Sequence, residues 1–375
     1  MAIIYTKNLP ENKLLLAYNN NVLEFRSDSA LRTLKAEMSF FGITLTLFPF
    51  PNGLFYFNFK DWITSIINQN NFEDNLNIDL DNQRVYDWTA NSYLNTIINV
   101  KIIYSNLTFE EGIKNLKWIS GYTQIENFKR RYPINDSNTE IVALIPKVNA
   151  NNNRAFVKYW YGYPFDISFY KTSNYTLKNN ILEYIVPSTT NIVERLIFST
   201  GQTDLTLDDD LSLTIGFNEI TVTDASTNFY IQIEKIEPRC AGHYVKWINS
   251  LGGYSYWLFE EGNLNRRTND LGELQNDFDN LGGTISPTIQ IGKTSIDSLR
   301  VTTDTIEDYE IDFIEDIIDS PKVYLFTGQP FAKNNFNDWV EVNLKPGDFR
   351  IRNAKNSKNS INFTLELPER VTRRI

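Results

Sequence analysis

The stretch Ile43-Thr44-Leu45-Thr46-Leu47 alternates apolar and polar residues strictly, and soon after it comes Pro49-Phe50-Pro51-Asn52-Gly53, a dense cluster of turn formers. Short strand-like runs followed by such breaks recur along most of the chain, and this restricts the fold more than any other feature. A period-two run buries one face of a strand, whereas a helix needs apolar residues every three to four positions. Short runs spaced roughly every dozen residues and separated by Asn, Gly, Pro and Thr indicate β-sandwiches. The fold class expected is mainly β: two or three β-sandwich or β-barrel-like domains with a few short helices.

In the first third, residues 13–18 and 22–25 read as a hairpin around Asn19-Asn20-Asn21, and 36–40 and 43–47 as a second pair around Gly42. Residues 54–59 add a strand. In the middle, strands are expected at 155–161, 165–170, 182–186, 192–199, 211–215, 219–222 and 229–236. The last third reads as two strands around Gly252-Gly253, then 323–326, 339–344, 349–352 and 361–367. Helices are few. Trp62, Ile63, Ile66 and Ile67 make a stripe within 60–70. Thr108 can cap a helix over 109–118, with Glu110 and Glu111 in its first turn. Residues 305–318 form an acidic helix with Ile306, Tyr309, Phe313, Ile314 and Ile317 facing inward.

A chain of 375 residues exceeds the roughly 250 at which single cores stop growing. Polar, turn-rich residues 134–153 and the Glu237-Pro238-Arg239 corner divide it into three blocks. These are an N-terminal β-rich domain (1–133) with one or two helices, a central β-sandwich (154–237) and a C-terminal β-rich domain (240–375) with the acidic helix. No fixed repeat period is present, which excludes a solenoid or propeller.

A net charge of −10 argues against nucleic acid and anionic membranes as partners, since both select basic surfaces. Cys240 is the one cysteine, so an intrachain disulfide is excluded and synthesis in a reducing cytosol is expected. The N-terminus lacks the charged and apolar regions of a signal peptide, and no run approaches the ~18 apolar residues of a membrane helix.

Catalytic signatures are scarce. Cys240 and His243 supply at most half of a zinc ligand set. No Gly-x-Ser-x-Gly elbow, Walker loop or G-x-G-x-x-G is present. Glu260-Glu261, Asp208-Asp209-Asp210 and the acidic stretch 304–319 offer carboxylate pairs of the kind a glycosidase uses, as any acidic chain does. Asp208–Asp210 reads as a solvated turn with room for calcium. No catalytic residue, metal site or cofactor is expected.

Aromatic strands are the most conspicuous positive feature. Tyr159, Trp160 and Tyr161, and again Tyr254, Tyr256 and Trp257, put aromatics on both faces of a strand. Such a strand lies between two layers or presents one face to a partner. These six residues are the candidates for a protein interface or a sugar-stacking platform. The acidic stretch 304–319 and the basic residues Arg350, Arg352, Lys355, Lys358, Arg370, Arg373 and Arg374 are opposite poles that could meet across neighbouring copies.

The segment from Cys240 to Phe259, with Gly252-Gly253-Tyr254-x-Tyr256-Trp257-x-Phe259, resembles tail structural proteins of tailed phages that infect Bacteroidetes. Pro51-Asn52-Gly53-Leu54-Phe55-Tyr56-Phe57-Asn58, Ser320-Pro321-Lys322-Val323-Tyr324-Leu325, Trp339-Val340-Glu341-Val342 and Phe363-Thr364-Leu365-Glu366-Leu367 are similar to the same group. The resemblance is patchy along the chain and is greatest to distal tail proteins. It implies a non-enzymatic virion protein of the tail or baseplate, made in the host bacterial cytoplasm. It further implies a homo-oligomeric ring of six copies joining the tail tube to the hub, with other tail proteins as partners. A glycan- or receptor-binding module of the tail and a head-to-tail connector ring are the alternatives, and a two-carboxylate carbohydrate hydrolase is a third.

Overall fold

The computed structural model describes residues 2–373 apart from 12, 68–69, 79–82, 125–140, 147–153, 203–205, 225–227, 240, 276–281, 284–287, 348 and 350–358. Strands dominate, with a few short helices. The chain divides into two compact units. One comprises Met1–Glu237, Ile248–Ser255 and Gln329–Phe336, so it takes in both the 1–133 and the 154–237 blocks. The other comprises Pro238–Trp247, Tyr256–Gly328 and Asn337–Ile375.

Within the first unit, a three-stranded sheet runs Ile3–Lys7, Val22–Ser27, Phe55–Asn58. A five-stranded sheet runs Leu14–Leu16, Phe109–Ile119, Tyr93–Tyr104, Thr33–Phe40, Ile43–Leu47. The helix Lys60–Ile67 joins their common core, because Ile63 and Ile67 lie one turn apart and both are buried. Phe25 stacks on Phe55 at 5.3 Å and Phe59 meets Trp118 at 5.9 Å in that core. The Thr33–Phe40 and Ile43–Leu47 hairpin turns through Phe41 (φ 48°) and Gly42 (φ 74°), the two left-handed residues that a tight two-residue turn requires.

Three expectations fail in recognisable ways. Phe109–Ile119 is a strand, not a helix; it pairs with Tyr93–Tyr104 from Ile103↔Phe109 to Tyr93↔Ile119. Its buried side chains alternate (Glu110, Lys114, Leu116 and Trp118), so a long ladder overrides the local helix-start signal. Thr108 caps nothing and instead donates to the Asn106 side chain at 2.7 Å in the turn. Residues 13–18 and 22–25 are not a hairpin either. Leu14–Leu16 pairs in parallel with Lys117–Ile119, while Val22–Ser27 lies between Ile3–Lys7 and Phe55–Asn58. Residues 211–215 form no strand, because Leu211 and Ser212 close a short helix, Leu207–Asp210. The strand expected at 349–352 lies outside the described residues except for Phe349.

Two further sheets of the same unit form a sandwich. One runs Ile141–Ala143, Pro164–Lys171, Val193–Thr200, Val85–Asp87. The other runs Arg154–Trp160, Asn228–Ile236, Gly216–Thr223, Thr176–Lys178, Glu183–Ile185. Tyr159 stacks on Phe165 at 5.2 Å and Phe169 meets Phe229 at 6.4 Å between them. Pro164–Lys171 and Val193–Thr200 are buried at every position. Their charges therefore need internal partners. Arg195, 2% exposed, grips Asp166 with two hydrogen bonds of 2.9 and 2.8 Å and donates a third to Asp74 at 2.8 Å. Its guanidinium carbon lies 5.0 Å from the Trp88 ring and 4.6 Å from the Tyr254 ring.

The second unit contributes to a seven-stranded sheet in the order Tyr254–Phe259, His243–Ile248, Val323–Phe326, Trp339–Leu344, Asn362–Glu366, Lys293–Thr302, Glu261–Asp270. The acidic helix spans Asp308–Ile314 and continues as a 3-10 turn, Glu315–Asp319. Ile306, Phe313, Ile314 and Ile317 are buried as expected, and Phe313 packs on Trp247 at 5.9 Å. Two long strands here escape sequence reading, Glu261–Asp270 and Lys293–Thr302.

Replacing Arg195 by Met leaves the Asp166 and Asp74 carboxylates buried without their cation. The expected cost is about 3–5 kcal/mol, read as a lowered urea midpoint, and adding Asp166→Asn recovers part of the loss.

Candidate functional site

Three loops meet at one end of the five-stranded sheet because of its register. Thr33 pairs with Tyr104, Ala36 pairs with Leu47, and the Ser105 N–H donates to the Arg32 carbonyl at 3.0 Å. The hairpin tip after Tyr104, the segment 28–34 and the turn 49–53 are thus neighbours. Each is pinned by its own polar side chains. Asn106 accepts from the Thr108 N–H at 3.1 Å. Ser27 Oγ lies 2.5 Å from the Tyr104 hydroxyl and accepts from the Ser29 N–H, whose own Oγ accepts from the Leu31 N–H. Phe50 exchanges backbone hydrogen bonds of 2.8 Å with Leu54 and Gly53, and Asn52 accepts from the Leu54 N–H.

What these pinned loops display is apolar. Leu107 is 76% exposed and Phe48 is 74% exposed, and Leu31, Leu34, Phe50 and Phe109 are exposed beside them. Leu107 also sits at φ 65°, a left-handed conformation that costs a leucine roughly 1 kcal/mol. Between segment 28–34 and the 49–53 turn lies an open cavity of about 520 Å³, lined by Arg26, Arg32, Leu31, Leu34, Phe50 and neighbouring residues. Among the described residues, neither the Arg26 nor the Arg32 guanidinium has an ion pair or hydrogen bond. Nearby cations on the same sheet are matched, Lys35 with Glu37 at 2.6 Å and Lys101 with Glu111 at 3.4 Å. This end of the unit is an apolar rim in which Leu31, Leu34 and Phe50 line the cavity with the two arginines, while Phe48, Leu107 and Phe109 are exposed on the adjoining loops. Rims of this composition mark contact surfaces for other macromolecules.

The six aromatic candidates read from the sequence form no such surface. Tyr159 is buried, stacked on Phe165, and donates its hydroxyl to Asp208 at 3.0 Å. Burial first, and the Asp208 charge second, push its phenol far above the ordinary tyrosine value. Trp160 is buried. Tyr161 is half-buried, with Phe331 edge-on at 5.2 Å and Lys235 Nζ 4.6 Å from its ring. Tyr254 is buried against Arg195 and Trp88, Tyr256 stacks on Tyr244 at 5.8 Å, and Trp257 packs on Phe313 at 6.3 Å. Five of the six are buried and Tyr161 is half-buried, so together they present no open aromatic platform.

Asp208–Asp210 is not a solvated turn. Lys235 Nζ bonds both Asp208 oxygens at 2.8 and 2.7 Å, and Arg84 reaches Asp210 at 2.6 Å. Burial raises the Asp208 carboxyl above its ordinary value, while Lys235 and the Tyr159 hydroxyl pull it back. Among the described residues no group of three or more His, Cys, Asp or Glu could hold a metal ion. Cys240 lies outside the described residues. A Cβ on Gly262 would collide with the His243 imidazole, so glycine lets the backbone approach that ring. Burial lowers the His243 pKa. No helix among the described residues is long and apolar enough to cross a membrane. Of the basic C-terminal residues, Arg350, Arg352, Lys355, Lys358 and Arg374 lie outside the described residues. Arg370 is engaged within its own chain, at 2.9 Å from Asp297.

No family model matches the chain, and no curated protein sequence matches it. Among solved structures the chain is similar to domains of titin (9% identity, 80% of this chain and 92% of that one, TM-score 0.27). Fibronectin(III)-like modules of CbhA from Clostridium thermocellum are similar at 8% identity, over 64% of this chain and 97% of that one, with a TM-score of 0.19. A bacterial ice-binding adhesin is similar at 11% identity, over 79% and 89%, with a TM-score of 0.18.

Asp297 yields a pH prediction. Hydrogen bonds from Arg266 chiefly, and from Arg370, hold its carboxyl below the ordinary value, against the opposing effect of desolvation. A lowered folded pKa stabilises fully above the ordinary carboxylate value, and the contribution is lost as pH falls through the lowered one. Thermal melts taken stepwise down from about pH 5 should therefore fall more steeply for the native chain than for Asp297→Asn.

Proposed function

We propose that the chain is a structural protein that works by packing against other proteins, and that its assembly is the ring at the distal end of a tailed-phage tail. The apolar rim beside Arg26 and Arg32 carries the first part of this reading. Obligate interfaces bury on the order of 2,000 Å² or more and are relatively apolar. Exposed phenylalanine and leucine held on pinned loops are what such an interface needs before it forms. The resemblance of the stretches 51–58, 240–259, 320–325, 339–342 and 363–367 to phage tail proteins supports the second part. Six copies in a ring, with tube and hub proteins above and below, is the arrangement this reading implies.

The purified chain should run as a multimer, and labelled particles should carry it at the tail tip. A strictly monomeric chain at high concentration, together with its absence from virion tails, overturns the proposal.

The rim is testable residue by residue. Phe48→Asp combined with Leu107→Asp should shift the multimer to smaller species by sedimentation, with little change in melting temperature, since both side chains are exposed in the single chain. Leu107→Gly should raise monomer stability by about 1 kcal/mol in chemical denaturation while weakening assembly.

A further inference from the structure

Glu261–Asp270 ends the seven-stranded sheet and pairs with Lys293–Thr302 along its whole length of ten residues, without a bulge. Every one of its side chains is exposed. Edge strands are ordinarily shortened, bulged, interrupted by proline or given an unmatched inward charge, because a free edge is a template for another strand. This strand is long, unbulged and free of proline, and charge is the one such device it carries. The two charges on its inward face are matched, Arg266 by Asp297 at 2.7 Å and Asp270 by Lys293 at 3.9 Å.

Directly opposed residues of an antiparallel pair share a face. Gly262, Leu264, Arg266 and Thr268 therefore face the same way as Val301, Leu299, Asp297 and Ser295, which are buried. Leu264 is 61% exposed although its opposite number Leu299 is 3% exposed. Among the described residues, the core row of the sheet thus runs past the His243 imidazole at Gly262 on to a strand whose side chains are exposed.

Charge pattern identifies the strand that fits. Two copies of one strand, paired antiparallel about a two-fold axis, place one residue opposite its own copy. An axis at Arg266 or Arg267 opposes like charges. An axis at Asn265 sets Leu264 against Arg266, and one at Thr268 opposes Arg266 to Asp270, both already paired within their own chain. An axis at Leu264 sets leucine on leucine in the uncovered row and puts Glu261 opposite Arg267 twice over. Among the described residues neither the Glu261 nor the Arg267 side chain has an ion pair or hydrogen bond in its own chain.

We propose that a second copy of this chain docks on Glu261–Asp270 by antiparallel strand pairing, in the register that places Leu264 on its own copy. The contact is two-fold and joins copies in pairs, so it is separate from any ring closed through the rim.

Cross-linking tests the register. In a chain carrying Cys240→Ser and the rim changes Phe48→Asp and Leu107→Asp, cysteine is introduced singly by Leu264→Cys or Asn265→Cys. Mild oxidation should give about tenfold more covalent dimer from Leu264→Cys, since opposed residues alone meet the short Cα separation of a disulfide. In the chain with its native Cys240 and the same rim changes, Glu261→Arg should abolish pairing by sedimentation, and adding Arg267→Glu should restore it. Equal cross-linking from both cysteines overturns the register. A monomer at every concentration with no cross-link, or no rescue by the charge swap, overturns the proposal and leaves the ring reading untouched.

Discussion

The first unit is organised around a cation that water does not reach. Arg195 projects from a strand buried on both faces, and its three hydrogen bonds to Asp166 and Asp74 span residues far apart in sequence. An isolated buried guanidinium is untenable, so the strand Val193–Thr200 is confined to the register that delivers both carboxylates. The same two strands carry a second internal pair, Lys171 with Glu194 at 2.8 Å, and Glu194 also accepts from the Tyr175 hydroxyl at 2.6 Å. An apolar core would tolerate slippage between strands rich in Ile, Phe and Leu. These charges penalise a slip of one residue, because it would turn them to the opposite face.

This also explains which parts of the sequence were readable. Ile43–Leu47, Val323–Phe326 and Trp339–Leu344 sit where their alternation or apolar runs placed them, since each strand's burial is set by its own residues. Phe109–Ile119 was misread because its first turn carries good helix-start chemistry, and a hairpin of eleven paired residues outweighs one cap. Glu261–Asp270 left no trace for a different reason: exposed on both faces, it has no burial period to detect. Leu14–Leu16 finds its partner about a hundred residues away, where adjacency suggested Val22–Phe25.

The site divides in the same manner. Aromatic strands were visible, but whether a two-faced strand is covered depends on distant residues. Lys235 and Asp208 close over Tyr159 and Tyr161, and Arg195 covers Tyr254. The rim was invisible because its members come from three loops, at 31–34, 48–50 and 107–109. Only the register of Thr33–Phe40 against its two neighbours brings them together. A leucine in the tip sequence Ser105-Asn106-Leu107-Thr108 was the one local signal, since that position favours glycine.

Net charge and rim act over different distances. Copies of a chain with a net charge of −10 repel one another beyond contact, and that repulsion fades within a Debye length of about 8 Å in physiological salt. Apolar attraction begins only inside that range. Arg26 and Arg32 place positive charge beside the exposed Leu31, Leu34 and Phe50, which lessens the repulsion there. Phe41 and Leu107, both at positive φ, hold apolar side chains in solvent at opposite ends of the Thr33–Phe40 strand. Among the described residues of the single chain Phe41 meets only the edge of Phe40, at 6.3 Å, and Leu107 projects from the hairpin tip, so the left-handed backbone at both positions is offset by little burial.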